Sequence, residues 1–162
     1  MKETKNLTFN HLKVHSQYSI CEGAIKIENL KNFCKENKIP SLGLSDTSNL
    51  CGALEFAENI SKVGSQPIIG TQIYFKFEDT TGLLPLIALN VKGYKRIIEL
   101  SSKSYLENDA LSSPHLSFDD LLINMDGVVL LSGTIHGLFG KLFEKGRFDE
   151  IKELYKNLSN KF

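Results

Sequence analysis

Apolar positions along the chain switch repeatedly between a period of two and a period near four. FNHLKVH, residues 9–15, alternates as a strand does, which would put His11, Lys13 and His15 on one face. In residues 27–38, Ile27, Leu30, Phe33 and Cys34 form a helical stripe, and Pro40 stops it. SLGLSD, 41–46, reads as a short buried strand. Ser48 or Asn49 is placed to cap a helix carrying Leu50, Leu54, Ala57 and Ile60, which Gly64 ends. QPIIGTQIYFKF, 66–77, is β-rich, EDTTG at 78–82 is a turn or hairpin loop, and 83–90 is another buried strand containing Pro85. A helix is expected over 92–106, with Tyr94, Ile97, Ile98 and Tyr105 on one side. A loop over 108–115 and a capping-box variant, SFDD, follow, with Asp120 where glutamate usually sits. GVVLLSG, 127–133, is an apolar strand, and helices over 137–145 and 147–159 complete the pattern.

Strands alternating with helices, the strands nearly continuous in apolar residues, imply an α/β fold with a parallel sheet covered by helices, open or closed into a barrel. Functional groups then belong at the carboxyl ends of the strands. Polar residues gather there: His15 with Ser16, Asp46 with Thr47, Gln72, and Thr134 with His136.

Composition narrows the function classes. Nineteen basic and nineteen acidic residues balance to zero, which argues against a general polyanion binder. Cys21, Cys34 and Cys51 are odd in number and lack CxxC spacing, as expected of reduced cysteines in the cytoplasm, most often small buried apolar groups. The polar start MKETKNLTFN has no signal-peptide core, and no apolar run reaches the ~18 residues of a membrane helix, so no membrane partner is expected. No phosphate-binding glycine loop, Ser/His/Asp order or nucleotide fingerprint occurs. Two histidines on a strand face suit a metal; a lysine between them does not, since an ammonium has no lone pair and repels a cation. His11 reads as structural, His115 and His136 as solvated, and Asp46 is equally suited to capping a turn.

The runs HLKVHSQYSICEGA, LGLSDTSNLCGALEF, PIIGTQIYF, ALNVKGY and VVLLSGTIHG, in that order, resemble the PHP (polymerase and histidinol phosphatase) domain that opens bacterial DNA polymerase III alpha subunits. The resemblance runs from about residue 9 to at least 140. It implies a distorted seven-stranded β/α barrel, of which about the first five strands fit here, so that residues 1–162 would be the N-terminal portion of one such domain in a longer polymerase chain. Open edges would leave that portion marginal or self-associating in isolation.

The resemblance also assigns metal-ligand positions: Lys13 and His15 on the first strand, Glu22 before a glycine, Thr47 after the aspartate, Gln72 on the third strand, Leu83 opening the fourth, and Thr134 after Ser-Gly. Of these, His15 and Glu22 are plausible ligands; Lys13, Thr47, Gln72, Leu83 and Thr134 are not. A degraded site without metal is therefore expected. His15, Glu22 and Asp46 would remain as polar residues of the mouth, with Lys13 placed to pair with Glu22. The role implied is a non-catalytic scaffold, with no catalytic residue and no cofactor of its own. It would support the rest of the alpha chain and dock the proofreading exonuclease subunit. Magnesium chemistry and DNA would be met only through the parent polymerase. The alternative, a PHP phosphoesterase or intrinsic 3′–5′ exonuclease, would call for His-x-His at 13–15, Asp-His at 46–47 and Glu at 72, none of which is present.

Overall fold

A computed structural model describes residues 9–109, 111–159 and 161. Helix α1 (Ile27–Asn37) leads to strand β1 (Ser41–Thr47), helix α2 (Ala53–Ser61) and the long strand β2 (Gln66–Phe77). Strand β3 (Thr80–Ala88) follows, then helix α3 (Val91–Leu106) and the two-residue strand β4 (Leu116–Ser117). A 3₁₀ turn (Phe118–Leu122), strand β5 (Val128–Leu130) and helices α4 (Leu138–Glu144) and α5 (Phe148–Ser159) complete the order.

The strands form a five-stranded sheet in the order β1-β2-β3-β5, with β4 pairing β2. It is mixed, which corrects the parallel reading. β1 and β2 are parallel, joined by α2, whereas β2–β3 and β3–β5 are antiparallel. Only Glu78 and Asp79 separate β2 from β3, and Glu78 takes φ 52°. A parallel return needs a crossover of a dozen or more residues, so this link can only be a hairpin.

The expected first strand shrinks to one bridge, Val14 to Leu44. Gly43 N–H donates to His11 O (2.7 Å), Val14 N–H to Gly43 O (3.1 Å) and Ser45 N–H to Val14 O (2.8 Å). Two residues, Leu12 and Lys13, lie between the bonds where a regular ladder has one, so a bulge interrupts the period. Leu12 accordingly joins Ile68, Ile87 and Val129 in lining one cavity, while Val14 packs against the α1–β1–α2 core. The single face expected for His11, Lys13 and His15 is broken by that extra residue. Gly43 permits it: a Cβ there would stand 2.7 Å from the Leu12 Cα.

Strand alternation sorts the sheet into two faces. Leu42, Leu44, Ile73, Phe75, Leu84, Leu86 and Val128 share the face on which the helices pack. Ile27, Leu30, Phe56 and Ile60 complete the core on α1 and α2; Ile97, Leu100, Leu138, Leu142 and Leu154 complete the other on α3, α4 and α5. Each fully buried side chain of this kind contributes about 1.5–3 kcal/mol. Ser45, Thr47, Gln72, Tyr74, Leu83, Pro85 and Ile87 share the opposite face, at whose carboxyl end the candidate site lies.

Candidate functional site

The site begins with a loop folded onto the end of β1. Asp46 is 1% exposed. Its carboxylate accepts from Ser16 N–H (2.6 Å), Ser16 Oγ (2.7 Å) and Ser19 Oγ (2.7 Å). The loop closes with Gly23 N–H donating to Ser19 O, and only glycine fits there because a Cβ would lie 2.0 Å from Ser16 O. Thr71 Oγ1 donates to the Asp46 carbonyl at 2.6 Å, tying the same residue to β2. Asp46 thus anchors a loop about thirty residues upstream rather than capping its own turn.

Ser19 is the junction. Its proton goes to Asp46, and its oxygen accepts from Thr47 N–H at 3.1 Å. His15 Nδ1 lies 3.3 Å from that same oxygen. Because the hydroxyl has one proton and it is used, His15 must donate, which selects the Nδ1–H tautomer and leaves the Nε2 lone pair free. His15 is half-buried, and its pKa is lowered, first by desolvation and then by the Lys13 charge, with Glu22 and Asp46 opposing.

A second chain of contacts joins three ligand positions named by the resemblance. Thr47 Oγ1 donates to Glu22 Oε2, and Gln72 Nε2 donates to Thr47 Oγ1 at 2.6 Å. Glu22 takes the Thr47 proton and makes no ion pair with Lys13 among the described residues, so the pairing expected of Lys13 is not formed.

The structure therefore brings His15, Glu22, Asp46, Thr47 and Gln72 together. Leu83 and Thr134 stand apart from that network. Leu83 bridges Gly137, whose N–H donates to Thr134 O at 2.8 Å, and Thr134 is exposed. His11 is exposed with its ring edge-on to Phe9 at 4.8 Å, and His136 is exposed. His115 is half-buried and bonds Ser113 O at 2.9 Å rather than being fully solvated. Only Cys34 is buried as expected of the cysteines; Cys21 and Cys51 are exposed. Sequence reasoning missed Ser19. The one available signal was its spacing of three from Ser16, one turn of chain, directly after a histidine.

Among the described residues, no helix is long and apolar enough to cross a membrane. The family profile of the PHP domain matches residues 11–162. The chain is 37% identical over 134 residues to the DNA polymerase III subunit alpha of Rickettsia felis, covering 82% of this chain and 11% of that protein. It is 33% identical over 179 residues to the same subunit of Caulobacter vibrioides, covering 100% of this chain and 15% of that one. The chain thus spans only 11 to 15% of the length of these relatives. A solved amidohydrolase from Chromobacterium violaceum, with bound sulfate and no metal, is similar at a TM-score of 0.49 and 16% identity, over 59% of this chain and 32% of that one. Matched by the family profile along residues 11–162, and similar throughout to DNA polymerase III alpha subunits, the chain belongs to the PHP domain family.

Proposed function

We propose that this chain serves as the PHP segment of a DNA polymerase III alpha subunit and acts there as a scaffold without chemistry of its own. The observation that carries the reading is the hydrogen-bonded run Gln72–Thr47–Glu22, in which three ligand positions named by the resemblance are bonded to one another. Both Asp46 oxygens are likewise engaged by serines. His15 Nε2 and the remaining Glu22 oxygen lone pairs are too few for a catalytic zinc, which takes three protein ligands and an open position. A divalent ion therefore does not fit this donor set, and no metal-dependent step is assigned to it.

In this role the segment supports the rest of the alpha chain and docks the proofreading exonuclease subunit in the cytoplasm. DNA and magnesium are met only by the parent polymerase. Two measurements test it. Elemental analysis of the purified chain should find no stoichiometric zinc, manganese or iron, and no metal-dependent phosphoesterase activity should appear. An ion bound per chain and lost in His15→Ala or Glu22→Gln would overturn the metal-free reading. Deleting the segment from the full polymerase should abolish co-purification of the exonuclease subunit; unchanged co-purification would overturn the docking role.

A further inference from the structure

The polar run at the mouth has a direction, and the direction leaves a specific chemical demand at its inner end. Ionised Glu22 can only accept. Thr47 has one proton and gives it to Glu22, so toward Gln72 it can only accept. The Gln72 amide nitrogen must then face Thr47, as it does at 2.6 Å, and the carbonyl oxygen must face away. Proton accounting thus sets the amide orientation independently of how the two ends of the side chain are placed. Gln72 is 3% exposed, and its Oε1 is buried without a hydrogen-bond partner.

A second buried group on the same sheet face shares that condition. Ser45 is 0% exposed and its Oγ has no partner. In the register, Thr47 pairs with Gln72 and Ser45 with Gly70, so Ser45 and Gln72 are diagonal neighbours on the face opposite the helices. Directly across from Ser45 stands glycine, which has no side chain to partner the hydroxyl. Pro85 and Ile87, buried on the neighbouring strand, supply the apolar surroundings. Two orphaned polar side chains at diagonal positions of one buried face are rare in stable folds, because each carries the desolvation cost of an unmade bond.

We infer that Ser45 Oγ and Gln72 Oε1 form a subsite for one small hydrogen-bond donor, a water molecule held between them. The water donates to Gln72 Oε1 and exchanges its second bond with the Ser45 hydroxyl, meeting the two-partner minimum for buried water. The result is a continuous relay from the surface carboxylate of Glu22, through Thr47 and Gln72, to the buried hydroxyl of Ser45. The subsite depends only on this chain's own polar groups and stands or falls separately from the proposed scaffold role.

The sign of one substitution tests it. With a bridging water, Ser45→Ala strands Gln72 Oε1 and should raise the unfolding equilibrium constant of the full chain roughly tenfold. If the two atoms are unconnected, removing an unsatisfied hydroxyl should leave stability unchanged or raise it, and that outcome overturns the subsite. A high-resolution crystal structure of the unmodified chain decides the matter without any variant. Water density within hydrogen-bond distance of both atoms supports the inference; its absence, or a protein donor in its place, refutes it.

Discussion

The mouth and the hairpin tip hold the chain together by opposite means. At the mouth, Ser16, Ser19 and Asp46 are at most 1% exposed and are joined by hydrogen bonds around a single buried carboxylate. At the tip of the β2–β3 hairpin, Arg147 reaches from the α4–α5 turn to Glu78, Asp79 and Glu150, with its guanidinium 5.6 Å over the Phe77 ring. Lys145 adds bonds to Asp79 (2.9 Å) and Thr80 Oγ1 (2.7 Å). The tip is richer in formal charge, yet Glu78 and Asp79 are 65% and 71% exposed. Water competes for the contacts of these two carboxylates, and salt screens them. At the mouth a broken bond leaves a group that water cannot reach. Burial, more than the number of charges, decides which region matters to stability.

The largest effect should therefore come from Asp46. Asp46→Ala removes the acceptor for three donors, two of them hydroxyls of wholly buried serines, and should cost about 3 kcal/mol in denaturant unfolding. Asp46→Asn should cost less, because one amide oxygen still accepts. Raising the salt should leave both losses nearly unchanged; a strong salt dependence would erase the distinction between the two regions.

Next comes Gln72→Glu, which restores a carboxylate where the relay needs a donor. Thr47 cannot give its one proton to two acceptors, so two carboxylates would meet across one hydroxyl. A loss of about 2 kcal/mol at neutral pH is expected, partly recovered on acidification as one carboxyl protonates. Adding Lys13→His and Thr47→His should turn that penalty into a cation requirement, read as calorimetric zinc or manganese binding tighter than that of the parent chain. Equal, weak binding by both proteins would mean that these positions no longer converge.

How much of this was legible beforehand varies with how local its cause is. The α3 helix, expected over 92–106, forms over Val91–Leu106 with Asn90 as its N-cap, but its buried stripe is Gly93, Ile97, Leu100 and Ser104; of the expected Tyr94, Ile97, Ile98 and Tyr105 only Ile97 is buried, and Ile98 and Tyr105 are exposed. The hairpin at EDTTG was legible from turn chemistry, yet its consequence, an antiparallel strand within a sheet read as parallel, was passed over. The Leu12–Lys13 bulge was not legible, since its cause, the open space at Gly43, lies some thirty residues away on another strand. The candidate site followed the same rule. His15, Glu22, Thr47 and Gln72 were placed by resemblance and converge; Ser19, whose role exists only once the loop folds onto Asp46, was missed. Lys13 was expected to pair with Glu22, but the Thr47 hydroxyl occupies that carboxylate instead.

The tip offers the converse test. Arg147→Ala removes a partner from three acidic groups at once, but two of these are largely solvated. A loss well below that of Asp46→Ala is expected, part of it lost packing over Phe77. The difference between parent and variant should shrink markedly in high salt. A loss as large as that of Asp46→Ala, or one indifferent to salt, would show that the tip is as shielded as the mouth.

The smallest effect, and the finest probe of the mouth, is the titration of His15. Desolvation lowers its pKa from 6.5, and the Lys13 charge lowers it further, against the pull of Glu22 and Asp46. The folded chain therefore binds a proton less readily than the unfolded one. As pH falls through about 6.5 the unfolded chain takes up its proton first, so stability declines, and the decline stops once the native imidazole also protonates. Protonation need not break the Ser19 contact, because the ring already donates from Nδ1; the cost is one of charge near Lys13 in a half-buried place. His15→Gln should flatten the stability profile between pH 7 and 5 while Arg147→Ala leaves its shape intact. Lys13→Met should weaken the acid decline, and Glu22→Gln should steepen it by removing an opposing charge. Comparing denaturation midpoints of these four variants with the parent across that range makes the assignment; a profile unmoved by His15→Gln would place the acid sensitivity elsewhere in the chain.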